Sequence, residues 1–263
     1  MTNNYAEKMK TTGLNFFTLA MVLVLWTLIA YWQKSPFFAT PYDIVQGFVQ
    51  MVTVGDVEGY KLWSHMLHSL VRVFAGFAAA CLVGIPGGLL LGLYPKIYDR
   101  TRILVEPIRF ISPIAWIPMA IVLLVGFSRY IFVIWVASFF PIFVSTLWSV
   151  RQVNAVYVNV ARVAGASRSF IIRKIIFPSI LPSVMGGMRI SLGISWMCIV
   201  AAEMIGGQMV GIGRLILKSA MVTRMDLVVV GMISIGFVGY ATNELIIFIE
   251  KRIFRWRAAV SIE

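Results

Sequence analysis

The chain has 263 residues, 60% of them hydrophobic and 13% charged, with mean hydropathy +0.88 and a formal net charge of +12. Its apolar residues come in blocks too long for the core helices of a soluble domain, so the composition indicates an integral membrane protein. The positive charge then reads as a topology signal and an attraction to anionic lipid heads rather than as a nucleic-acid footprint.

Six apolar windows follow one another: Thr11 to Gln33, Val73 to Pro95, Phe110 to Ser128, Tyr130 to Val150, Pro182 to Gly207 and Leu227 to Ile249. Each is long enough to cross about 30 Å of hydrocarbon, which takes roughly 20 helical residues. The windows show no apolar/polar alternation, so the chain is predicted to be all-α with six transmembrane helices rather than a barrel. The first window is longer than the core of a signal peptide. It ends in Tyr31-Trp32-Gln33-Lys34 with no small-residue cleavage site, so it is expected to be retained as an anchored span.

Between the first two windows, Tyr42 to Val54 carries Ile44, Val45, Phe48, Val49 and Val52 at helical spacing. Pro41 sits at a first helical position and Thr40 at the cap, which predicts a short amphipathic helix on the outer surface. On the second span, Gly84, Gly88 and Gly92 recur every four residues and predict a close helix contact. His65 and His68 lie near that span's outer end, and Cys81 and Cys198 fall inside spans. Their separation gives neither a disulfide nor a metal-ligand pattern, so packing thiols, interfacial imidazoles and no metal site are expected.

With the N-terminus inside, the internal segments hold fourteen Lys and Arg, among them Lys8, Lys10, Arg162, Arg168, Arg255 and Arg257. The external segments hold six, Lys34, Lys61, Arg129, Arg214, Lys218 and Arg224. Both termini are therefore expected in the cytoplasm. Residues 150–178 form the main internal loop. Asn154 can cap a helix running to Ala164, Gly165 can stop it, and Ser167 can cap a second helix that Pro178 would end. Val156, Val160, Val163 and Ala164 share a face of the first helix, which suits a groove on a partner. Phe170, Ile171, Ile175 and Ile176 oppose Arg168, Arg173 and Lys174 on the second, which suits a membrane interface. The residues alone allow either an interfacial hairpin or a docking loop.

Charges within or near the spans mark candidate pathway positions: Arg72, Arg109, Arg189 and Glu203, with Trp116 and Trp196 beside them. Each charge would destabilise by a few kcal/mol against lipid at the midplane, so each should face protein, a water-filled cavity or the interface. The arginines could grip carboxylate, sulfonate or nitrate oxygens in bidentate fashion. They could equally pair with Glu106, Glu203 or backbone carbonyls for structure. No GxxxxGK[ST] phosphate loop is present, so ATP hydrolysis would have to occur in another subunit.

The loop resembles the signature of binding-protein-dependent ABC transporter permeases: Glu-Ala-Ala, three residues, Gly, nine residues, then Ile-x-Leu-Pro. Gly165, Ile175 and Phe177-Pro178 take the later positions, followed from the glycine by Ala166 and Ser167. Asn159, Val160 and Ala161 take the first three, so asparagine stands where the family has glutamate. The stretches ISPIAWIP (Ile111 to Pro118), PIFVSTLWSV (Pro141 to Val150), MRISLGISWMCIVAAEMIGG (Met188 to Gly207), GIGRLI (Gly211 to Ile216) and the Arg255 to Arg257 end are similar to the nitrate, sulfonate, taurine and bicarbonate branch.

That resemblance covers about residues 65–257 of a single permease domain, residues 1–263. It implies a multi-pass inner-membrane protein of the type I ABC importer permease fold, itself non-catalytic. It further implies a second permease copy, cytoplasmic ATP-binding subunits holding ATP and Mg, an extracytoplasmic substrate-binding protein, and a small anionic nutrient as cargo. The ATPase-coupling positions would be Asn159, Val160, Ala161, Gly165, Ala166, Ser167, Ile175 and Pro178. A secondary transporter working without an ATPase is the competing function; it would require midplane acids and an inverted repeat, and neither is evident in the sequence. A membrane enzyme would require a catalytic cluster, for which two His and two Cys give no spacing.

Overall fold

A computed structural model describes residues 2–33 and 37–254, and among these the regular structure is entirely helical. Lys34, Pro36 and Arg255 to Arg257 lie outside the described residues, as do the side chains of Lys8 and Lys10. The helices in chain order are α1 (Thr2–Gln33), α2 (Pro41–Thr53), α3 (Leu62–Leu93), α4 (Pro95–Arg109), α5 (Ile117–Leu123), α6 (Phe127–Arg151), α7 (Ala155–Val163), α8 (Arg168–Ile171), α9 (Phe177–Ile205), α10 (Ile212–Met221) and α11 (Met225–Ile253). A 3-10 turn, Pro113–Trp116, precedes α5, and a π-helical turn, Ile172–Ile176, joins α8 to α9.

Four helical stretches are long and apolar enough to cross a membrane: Leu62–Leu93, Phe127–Arg151, Arg168–Ile205 and Met225–Ile253. Pro95–Arg109 with Pro113–Leu123 makes a fifth if the bent pair counts as one span, and α1 holds a shorter apolar stretch, Ala20–Trp32. The expected third span, Phe110 to Ser128, is not one continuous helix. It begins at the 84° bend between Pro95–Arg109 and Pro113–Leu123. Ser112 is extended before Pro113 (ψ 130°), as a residue preceding proline prefers, and Leu124 and Gly126 (φ 62°) then break the chain before α6.

The chain divides into two compact units: the part through His65 with Leu215–Ser234, and Met66–Arg214 with the part from Ile235 onward. In the first, Thr40 caps α2 in a reciprocal box: its hydroxyl accepts from the Asp43 N–H (3.2 Å), and the Asp43 carboxylate accepts from the Thr40 N–H (2.9 Å). The buried side of α2 is Ile44, Gly47 and Met51, while Val45, Phe48, Val49 and Val52 are exposed. The apolar stripe legible in the sequence is thus largely the outer face. Gly47 permits the contact beneath, because a Cβ there would lie 3.0 Å from an Asp226 carboxylate oxygen. Arg224 donates to Asp226 (2.7 Å) and to Gln50 Oε1 (2.8 Å), and the hydrogen bonds to Asp226 hold its guanidinium pKa above the ordinary value. Lys218 and Glu58 form an ion pair within the same unit.

In the second unit, the glycine ladder of α3 meets α6. A Cβ on Gly88 would stand 2.6 Å from the Phe143 carbonyl oxygen, and one on Gly92 would stand 2.6 Å from Val150 Cβ. Only glycine allows the two backbones this approach. α6 and α9 then pack along their lengths, with Gly187 against Ser145 and a buried hydroxyl chain joining them. Ser138 and Ser195 lie 2.6 Å apart, and Ser191 donates to the Ser138 carbonyl at 3.1 Å. These bonds satisfy polar groups that lipid could not.

Candidate functional site

The loop after α6 folds largely as its cap residues dictate. The Asn154 side chain accepts from the Val156 N–H at 2.9 Å and starts α7. Gly165 ends it with φ 78°, a conformation that L side chains rarely adopt, and the Ala166 N–H returns to the Ala161 carbonyl at 2.9 Å. The Ser167 side chain accepts from Phe170 N–H at 3.3 Å to start α8.

Pro178 does not end a helix, as its sequence context predicted. The chain passes from α8 through the π turn into α9, with Pro178 in the first turn of α9. An α-helical proline ring collides with the carbonyl four residues earlier, here Lys174. Lys174 lies inside the π turn, whose wider winding relieves that collision. The Ile175 carbonyl accepts from Ser179 Oγ at 2.6 Å.

α7 has two apolar faces. Val158 and Ala161 pack against the cluster of Val150, Ile171, Ile176, Ile180 and Val184, joined by Ala166 and Ile175. The other face is open: Val156, Tyr157, Val160 and Val163 are 58%, 61%, 63% and 91% exposed. Asn159, Gly165 and Ser167 are also exposed. A groove of about 580 Å³ runs along this side, lined by Val156, Tyr157, Val160, Ala161, Lys174, Ile175, Pro178 and Ser179. The expected coupling positions Val160, Ala161, Ile175 and Pro178 therefore share one groove.

The candidate pathway residues do not form one cluster. Arg72 and Glu203 are buried and pair at 2.7 Å between α3 and α9. Ser69 Oγ donates to both carboxylate oxygens (2.8 and 2.9 Å), the Gly213 N–H donates to one (3.0 Å), and Arg72 also donates to the Val210 carbonyl (2.9 Å). The Arg72 guanidinium lies 4.6 Å over the Tyr130 ring. Such dense satisfaction is what a buried charge pair requires. It also ties the turn before α10 to α3.

Arg109 is half-buried, 3.2 Å from Glu106 one turn back and 4.9 Å over Phe110. Arg189 is joined to Glu250 at 2.5 Å, with the guanidinium side chain 36% exposed. Trp116 is half-buried and edge-on to Phe132 at 6.2 Å. Trp196 is buried and donates its indole N–H to Thr242 at 3.1 Å. The sequence offered Glu203 and Glu106 as partners for these arginines. It gave no sign of Glu250, which lies 61 residues from Arg189. Ser69 had a signal, since it stands one turn before Arg72 on the same helix.

The family model for "Binding-protein-dependent transport system inner membrane component" matches residues 84–256. The taurine transport system permease protein TauC of Escherichia coli is 30% identical over 248 residues, covering 92% of this chain and 89% of that protein. The nitrate import permease protein NrtB of a Synechocystis strain is 33% identical, covering 89% of this chain and 86% of that protein. The bicarbonate transport system permease protein CmpB of Synechococcus elongatus is 35% identical, covering 76% and 72%. A chain of the MetNI methionine ABC transporter, solved in inward-facing conformations, superposes with TM-score 0.51 at 20% identity, covering 70% of this chain and 94% of that one. It shares the fold. By its family match and these relatives, the chain belongs to the binding-protein-dependent transport system inner membrane components, the multi-pass permeases of ABC transporters.

Proposed function

We propose that the chain is the permease subunit of an ATP-driven importer and carries a small anion of the sulfonate, nitrate or bicarbonate class into the cytoplasm. The open apolar face of α7 carries this reading. Four large side chains exposed on a basic internal loop are a surface that gains from being covered, and a helix laid in a partner's groove covers it. The partner is a cytoplasmic ATP-binding subunit that holds ATP and Mg. Closure of two such subunits would push α7 of two permease copies and convert the paired bundles from inward-open to outward-open, and hydrolysis would reset them. The push acts only through contacts that differ between the two states.

A second identical copy supplies the symmetric pathway, since a C2 pair is the commonest closed assembly, and an extracytoplasmic binding protein delivers the cargo. The cargo class is supported by the relatives that carry taurine, nitrate and bicarbonate. Of the tentative pathway residues, Arg109 and Arg189 retain exposed surface on their side chains. They are better placed to meet an anion than Arg72 and Glu203, which saturate one another. Trp116 and Trp196 serve this pathway as packing walls.

Gly165→Pro tests the docking. Proline fixes φ near −65°, whereas Gly165 holds φ 78°, so the turn behind α7 must re-form. Co-purification of the ATP-binding subunit is expected to fall while the permease remains in the membrane. Unchanged assembly together with unchanged substrate-stimulated hydrolysis would overturn the assignment.

A further inference from the structure

We infer that a second pocket, on the flank of α7 away from the open valine face, holds the headgroup of an anionic phospholipid of the cytoplasmic leaflet. The pocket measures about 500 Å³ and is lined by Leu93, Val158, Ile171, Ile172 and Ile176, with Arg162 and Arg168 at its rim and Ala166 between them. Its depth follows from the chain. Leu93 ends one membrane-crossing helix and Arg168 begins another, so the pocket sits at the ends of two such helices, and the opposed apolar and basic sides of residues 168–176 suit the membrane interface. The internal placement of this loop, on which the proposed function also rests, assigns it to the cytoplasmic side.

The chemistry of the walls matches an amphiphile with an anionic head. Aliphatic side chains offer a surface for glycerol and the first acyl methylenes, and two guanidinium groups offer planar donors to a phosphodiester. Both arginines are exposed. No carboxylate among the described residues lies within ion-pair distance of either one. Arg168 is already oriented, with its guanidinium 4.9 Å over the Tyr94 ring, so less side-chain freedom is lost on binding. Zwitterionic lipid would bring its own ammonium and leave less net attraction. A soluble phosphate would use the arginines but not the aliphatic wall.

Lipid and ATPase need not compete for α7. Arg162 follows Val160 by two residues, about 200° around a helix. A headgroup held between Arg162, Arg168 and the end of α3 would brace α7 against the membrane from behind while its valine face takes the load of the partner. Anionic lipid should therefore raise the fraction of ATPase strokes transmitted to the permease.

The test is native mass spectrometry of the permease purified without its ATPase, then hydrolysis assays on the reconstituted complex. The wild type should retain phosphatidylglycerol, and Arg162→Gln/Arg168→Gln should lose it, by about fivefold for each arginine if each contributes the usual attraction to an anionic surface. Arg162→Lys/Arg168→Lys, which keeps the charge, should restore most of the retention. In nanodiscs, substrate-stimulated hydrolysis by the wild-type complex should be higher with phosphatidylglycerol present than in phosphatidylcholine alone, and the glutamine variant should lose that difference while still holding its ATPase. Equal lipid retention by wild type and glutamine variant would overturn the proposal. So would full stimulation by inorganic phosphate in phosphatidylcholine discs, which would make the ligand a soluble anion. Loss of the ATPase from the glutamine variant would assign the arginines to docking instead. Because retention is read on the permease alone, failure of the ATPase-docking reading leaves the lipid result standing.

Discussion

Arg72 with Glu203, and the open face of α7, are opposite solutions to the same difficulty. The charges are buried and every contact around them is made within the chain: carboxylate, two hydrogen bonds from Ser69, a backbone N–H and a carbonyl. The valines are apolar and exposed, and none of the described residues covers them. A saturated polar cluster is a structural fastening, whereas an uncovered apolar face is what the proposed docking of a partner would cover. The difference explains why a charge inside a span, the first mark to look for in a transporter, here leads to a scaffold element, while the mechanical contact we propose would rest on plain aliphatic side chains.

That comparison can be broken most sharply at Glu203. Glu203→Leu leaves Arg72 buried and unpaired, and the expected loss is about 3–5 kcal/mol of stability, read as a lower thermal unfolding midpoint in detergent. A shift too small to resolve would mean that Arg72 reaches water and is free for cargo. Next comes the helix contact that sets the frame for both regions. Gly88→Leu puts a side chain where the Phe143 carbonyl oxygen lies 2.6 Å from the added Cβ, with an expected loss of about 1–3 kcal/mol; a variant of wild-type stability would show that α3 and α6 can part. Smaller again is Asn154→Ala, which removes the α7 cap and should lower local stability by about 1 kcal/mol. It should appear as faster amide exchange within α7 and an unchanged global unfolding midpoint, while unchanged exchange would show that packing alone holds the helix.

The local chemistry of these regions was legible because caps and small-residue ladders act over one or two turns. Asn154, Gly165, Ser167 and Thr40 each do in the structure what their residue type and position predict, and the Gly84, Gly88, Gly92 spacing marks the α3 contact. What was not legible depends on winding or on distance along the chain. The π turn before Pro178 turns a helix stop into a helix continuation, and no pattern in the residues announces the change of register. The break at Leu124 to Gly126 divides a window that hydropathy reads as continuous, and an 84° bend stands at its start. Arg189 and Glu250 meet across α9 and α11, a pairing for which charge pattern along either helix gives no clue. The buried side of α2 escaped notice because its central residue is a glycine, which carries no hydropathy signal.

The valine face offers the most direct measurement. Val160→Asp/Val163→Asp changes two side chains that are 63% and 91% exposed, so the stability of the permease alone should stay within about 0.5 kcal/mol of wild type. Co-purification of the ATP-binding subunit and substrate-stimulated hydrolysis in the reconstituted complex should both be lost. Wild-type assembly and wild-type stimulated hydrolysis in that variant would contradict the assignment of α7 as the element through which ATP drives transport.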